Sequence, residues 1–145
     1  DRAYSSRQFQ CNDFSYVGVA MNAIHLAQVG LIDRRLFIWH DDTEHAIRLS
    51  QAGKIVCLPG AIVNHKVEDA DYNQVTWKSF YGHRNFLHML RRHHSRRYVV
   101  FKVLANLWRA CRARDPRVRR LVWDATLAGL RGQLGIDPRY RPGAG

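Results

Sequence analysis

The chain has 145 residues, with 46% apolar and 24% charged, a one-domain length and a globular composition that exclude wholesale disorder and collagen-like repeats. No apolar run reaches the roughly 18 residues that a membrane-spanning helix needs. The formal net charge of +11 is uneven: residues 1–72 hold 7 Lys and Arg against 9 Asp and Glu, whereas residues 73–145 hold 16 against 3, so the second half should seek an anionic partner such as phosphate, nucleic acid or an acidic membrane surface.

Phe14–Val19 is rich in aromatic and β-branched residues and predicts a short strand. Asn22–Val29 carries apolar residues at helical spacing, with Gly30 placed as a C-cap. Leu31–Arg35 predicts a turn, and Leu36–Trp39 the end of a buried strand. The run His40-Asp41-Asp42-Thr43-Glu44 then opens a helix that should run to about Ala52 and stop at Gly53, leaving Arg48 and Gln51 more exposed. Lys54–Leu58 predicts a strand, Pro59-Gly60 a turn, and Ala61–Val63 a second strand that ends at Asn64-His65-Lys66. Val67–Asn73 is acidic and predicts a loop. From about Val75 the pattern turns helical, with a first helix followed by Tyr98–Arg114 and Val118–Leu134. The tail Asp137–Gly145, with two Pro and two Gly, is expected to fray. Cys11, Cys57 and Cys111 show no metal-ligand spacing and read as a reducing-compartment set. The chain begins at Asp1 with no signal-peptide pattern, which predicts a fragment or a processed product.

The sharpest cluster is Trp39–Glu44. Carboxylates at a helix start after a strand end are a common place for a catalytic base. A helix N-terminus favours the anion that a base requires. Plain helix capping by Asp41 and Asp42 explains the same residues. His65 is either a structural histidine or a ligand to a divalent metal on a diphosphate. Asp69-Ala70-Asp71 has the DxD spacing of a metal site but suits a solvated loop equally well. Arg84, in Tyr81-Gly82-His83-Arg84-Asn85, can fork onto a phosphate or be a surface residue. Trp108 and Trp123 sit on basic amphipathic helices, as packing residues or at a membrane interface.

In order and spacing, several short motifs resemble the C-terminal part of a family 2 glycosyltransferase, of the bacterial rhamnosyl- and galactofuranosyl-transferase branch. They are Phe14-Ser15-Tyr16-Val17-Gly18, Val29–Asp33, Leu36–Glu44, Arg48-Leu49, Gly53, Pro59-Gly60-Ala61, Asn64-His65-Lys66, and Tyr81 with Arg84-Asn85. The resemblance spans roughly residues 12–90. It implies an α/β fold, the C-terminal half of a GT-A (Rossmann-like) layer over residues 1–72. A basic all-helical extension over 73–136 and a flexible tail over 137–145 would follow. It also implies inverting transfer from a nucleotide-diphosphosugar to a hydroxyl of a glycan or lipid-linked acceptor in cell-envelope polysaccharide synthesis. The family's acidic pair followed by x5-Arg falls on Asp41, Asp42 and Arg48. Asp42 is then the base, and Asp41 and Trp39 bind the acceptor. His65 becomes a ligand to Mg or Mn, and Arg84 a diphosphate contact. The family's N-terminal nucleotide-binding βαβ units and their DxD have no counterpart in the chain, so it is expected to turn over little by itself.

The same setting implies a cytoplasmic protein held peripherally on the inner face of the membrane, with Arg91, Arg92, Arg96, Arg97, Arg109, Arg112, Arg114, Arg117, Arg119 and Arg120 meeting anionic headgroups. Two readings from other classes stand beside it. One is a basic helical nucleic-acid-binding module, against which no helix-turn-helix or zinc-finger signature appears. The other is a metal-dependent phosphohydrolase built on His40, Asp41, His45 and His65.

Overall fold

The helices begin and end where side chains or glycine can serve the unpaired backbone groups. A computed structural model describes Ser5 and residues 7–66 and 74–143. In chain order the elements are β1 (Phe9–Cys11), α1 (Ala23–Val29), a 3-10 turn (Arg34–Leu36), α2 (Asp41–Ala52), β2 (Ile55–Cys57), α3 (Trp77–His93), α4 (Arg96–Arg112) and α5 (Pro116–Arg131). The Asn22 side chain accepts the Ile24 N–H at 2.8 Å to start α1, and Gly30, at φ 81°, ends it. Asp115 accepts the Arg117 N–H at 2.8 Å, Pro116 fills the first turn of α5, and left-handed Gly132 closes it.

The described residues fall into two compact units. The first is drawn from residues 1–33 and 42–70. Its sheet is one antiparallel pair, β1 against β2, with Phe9 opposite Cys57 and Cys11 opposite Ile55. Polar ties do much of its holding. Arg48 donates from Nε to Glu44 at 2.9 Å, and from its two terminal nitrogens to the carbonyls of Val29 and Leu31 at 2.8 and 3.0 Å. The predicted exposure of Arg48 is therefore corrected: its side chain is 18% exposed and binds α2 to the end of α1. His45 bonds through Nε2 to the Gly30 carbonyl at 2.9 Å, and its Nδ1 faces the Tyr16 hydroxyl. The Nε2–H tautomer satisfies both contacts.

The second unit joins residues 34–41 to residues 71–145. Its core packs Phe80, Tyr81, Ala110, Leu121, Val122 and Ala125 from α3, α4 and α5. Gly129 allows α5 to approach α3 closely, since a Cβ there would lie 2.7 Å from the Arg84 carbonyl oxygen. Asp137–Tyr140 belongs to this packing, which corrects the expectation of a frayed segment there. The Tyr140 ring stacks on Phe80 at 4.2 Å, its carbonyl accepts the Tyr81 hydroxyl at 2.6 Å, and its own hydroxyl donates to Asp124 at 2.9 Å.

Three predicted strands are absent among the described residues. Phe14–Val19 is interrupted by Gly18 at φ 76°, and its Tyr16 side chain is engaged with His45. Ala61–Val63 has no partner strand, and Ile62 and Val63 are exposed. Leu36–Trp39 cannot be extended because Phe37 and Trp39 have positive φ. The described sheet thus contains no parallel βαβ unit, and the GT-A expectation rests on the motif resemblance. The Asp69-Ala70-Asp71 motif and the acidic loop around it lie outside the described residues.

Candidate functional site

Three non-glycine residues within four positions adopt left-handed backbone: Phe37 at φ 68°, Trp39 at 65° and His40 at 63°. Each such residue costs on the order of 1–2 kcal/mol, so the surrounding structure must hold them. Asn85, wholly buried on α3, donates from Nδ2 to the carbonyls of Leu36, Ile38 and Trp39 at 2.7, 2.9 and 2.9 Å. Arg84 beside it donates from Nη2 to the Leu36 carbonyl at 3.2 Å and from Nη1 to the Gly135 carbonyl. Its Nε donates to the Asn85 side-chain oxygen at 2.9 Å. These bonds replace the ladder that a strand would have offered, and they fix the turn leading into α2.

This geometry corrects the diphosphate role expected of Arg84. The side chain is 1% exposed, its donors are spent on backbone carbonyls and Asn85, and its guanidinium lies 4.8 Å from the Tyr81 ring centre. Burial lowers its pKa while Tyr81 and Asp137 raise it in part. Arg84 is a buried clamp.

Asp41 and Asp42 are the first two residues of α2. The Asp42 carboxylate accepts the N–H of the next residue, Thr43, at 2.8 Å within the first turn of α2. Thr43 in turn donates its hydroxyl to Asp13 at 3.2 Å, and Asp13 also accepts the Phe14 N–H at 2.9 Å. Sequence reasoning missed Asp13, because 30 positions separate it from Thr43. Trp39 is 43% exposed. One edge of its indole lies against Gly82 of α3, where a Cβ would collide with the ring.

His65 is exposed and lies after β2, outside any helix or strand. No group of three His, Cys, Asp or Glu side chains among the described residues could hold a metal ion. The divalent metal expected at His65 is an implication of the resemblance alone.

Each unit holds a cavity. In the first unit a cavity of about 470 Å³ is lined by β1, β2, α1 and the Asp13–Met21 stretch, with His25 packed against Gly53. In the helical unit a more open cavity of about 560 Å³ is lined by Trp39, His40, Ser79, His83, Phe86 and Arg109 among others. Burial holds the His83 pKa below the ordinary histidine value, and the charges of Arg109 and His40 push it the same way. His40 rests on the Phe86 ring at 5.3 Å, and the Lys102 ammonium lies 5.3 Å from the same ring. Sequence reasoning assigned His83 no role and placed Arg109 among the arginines expected to meet anionic headgroups. Only the packing of α3 against α4 brings the two together.

No family model, curated protein or solved structure matches this chain.

Proposed function

We propose that this chain supplies the catalytic base and acceptor surface of an inverting glycosyltransferase. The observation that carries the reading is the clamped left-handed turn from Phe37 to His40, which runs directly into the carboxylate pair of α2. Backbone strain held by buried donors concentrates at functional sites. Here it sets an exposed indole three positions before Asp42. The motif order that resembles family 2 transferases supports the same assignment.

In the proposed step an acceptor hydroxyl passes its proton to the Asp42 carboxylate as its oxygen attacks the anomeric carbon. The new C–O bond forms as the bond to the nucleoside diphosphate breaks, and the diphosphate leaves with the electron pair. Asp41 hydrogen-bonds the acceptor, and Trp39 offers it an apolar face. The nucleotide grip falls to structure other than the described residues, which form no βαβ unit.

A peripheral position on the cytoplasmic face of an anionic membrane completes the proposal. No helix among the described residues is long and apolar enough to cross a membrane. On α4, however, Phe101, Leu104 and Trp108 are exposed, and Arg112 lies 4.9 Å from the Trp108 ring centre. Such a basic, aromatic face suits the lipid headgroup region.

The test is transfer from a nucleotide-diphosphosugar, measured on the whole encoded polypeptide. Asp42→Asn should lower kcat on the order of 10²–10⁴-fold with little change in acceptor KM, and Asp41→Asn should chiefly raise that KM. An unchanged kcat in Asp42→Asn would overturn the assignment.

A further inference from the structure

We propose that the cavity between α3, α4 and the Trp39-His40 turn binds a phosphate ester, with the phosphate on His83, Arg109 and His40 and its apolar or ring-bearing group on Trp39 and Phe86. The site lies within the helical unit and shares Trp39 with the acceptor face proposed above, but its test needs no sugar transfer. Three basic side chains from three segments line it: His40 from the turn, His83 from α3 and Arg109 from α4. A fourth, Lys102 of α4, stands over the Phe86 ring. No carboxylate is among the described lining residues. The half-buried His83 feels a positive field, since both Arg109 and His40 disfavour its protonation.

A phosphate monoester carries about 1.5–2 negative charges near neutral pH, which suits several converging basic groups better than a single carboxylate. Arg109 can give two parallel N–H donors to its oxygens. The bound anion reverses the sign of the field at His83 and favours the imidazolium, which adds another donor. Trp39 and Phe86 flank these groups and give the ester a stacking and apolar wall. At about 560 Å³ the cavity has the volume of an ordinary small-molecule site. Gly82 matters to its shape, because a side chain there would displace the Trp39 ring.

The probe is phenyl phosphate, followed through the ring resonances of His83 and His40 in the full chain, with phenol as the uncharged control. Phenyl phosphate should shift both rings saturably and raise the His83 titration midpoint, and phenol should not. Arg109→Gln, at an exposed position, should weaken binding about tenfold or more while leaving the helical circular dichroism intact. Arg117→Gln, an equally exposed change on α5, should leave it unchanged. Equal weakening by both variants would mean diffuse attraction to a basic surface and would overturn the site, as would absence of saturation at about 10 mM ligand. Phosphatidic acid vesicles that compete for the His83 signal, where phosphatidylcholine vesicles do not, would assign the phosphate to a lipid headgroup. Binding of the soluble ester without such competition would assign it to a free metabolite.

Discussion

The two units solve the problem of staying folded in different ways. The helical unit buries Phe80, Tyr81, Leu87, Met89, Leu90, Leu121, Val122 and Ala125. Among the described residues of the first unit, Ala46 is the one fully buried apolar side chain, and the others excluded from water are Glu44 and His45. One unit rests on apolar burial, which is roughly additive over area and tolerant of geometry. The other leans on a few directional bonds around Arg48, His45 and Tyr16, which contribute only while their geometry holds. The first unit should therefore open more readily, as the segments that handle ligands commonly do.

The largest effect should come from the apolar core. Phe80→Ala removes a ring that is wholly buried and stacked on Tyr140 and should cost about 4 kcal/mol in urea denaturation of the helical unit. A cost under about 1 kcal/mol would break the contrast between the units. In the first unit the sensitive change is polar. Arg48→Met keeps the aliphatic stem but leaves the buried Glu44 carboxylate and the carbonyls of Val29 and Leu31 without this donor. It should cost about 2–3 kcal/mol, read as lost amide protection in α1 and α2, with α3 and α5 unaffected.

A smaller effect concerns pH. Burial, with help from Arg48, holds the His45 pKa below its ordinary value, partly offset by the Gly30 carbonyl and Glu44. The folded state thus prefers the neutral ring. Its stabilising contribution is complete above the unfolded histidine pKa of 6.5 and is lost as pH falls through the lowered folded value. Amide protection in α1 and α2 should decline over that acid range, and His45→Gln should flatten the decline. A His45 ring that titrates by NMR at or above the ordinary value would contradict this.

Much of the helical framework was legible in the chain. Gly53 and the acidic start mark α2 to within a residue, and Gly30 marks the end of α1. Periodicity found α3, α4 and α5; the apolar faces of α3 and α5 make the core, to which α4 adds Ala110. The failures have a common physical cause. Leu36–Trp39 looks like a strand locally, yet its carbonyls are claimed by Asn85, 46–49 positions away in sequence. Arg84 looks like a phosphate ligand by residue type, yet tertiary burial turns it inward. The basic cavity was invisible because His83 and Arg109 acquire a shared surface only after α3 and α4 pack. Of the expected site residues, Trp39, Asp41 and Asp42 are near neighbours in the chain, and His65 is exposed, outside any helix or strand.

The turn before the carboxylate pair is held in left-handed backbone. This is tested most directly by comparing His40→Asn with His40→Val. Both variants lose the imidazole and its contact with Phe86, so the difference between them isolates the backbone at φ 63°. Asparagine tolerates that conformation and a β-branched residue resists it. Urea denaturation should find the Val variant less stable than the Asn variant by about 1–2 kcal/mol. Equal stability, or a more stable Val variant, would mean that His40 is not left-handed and that the strained turn does not exist.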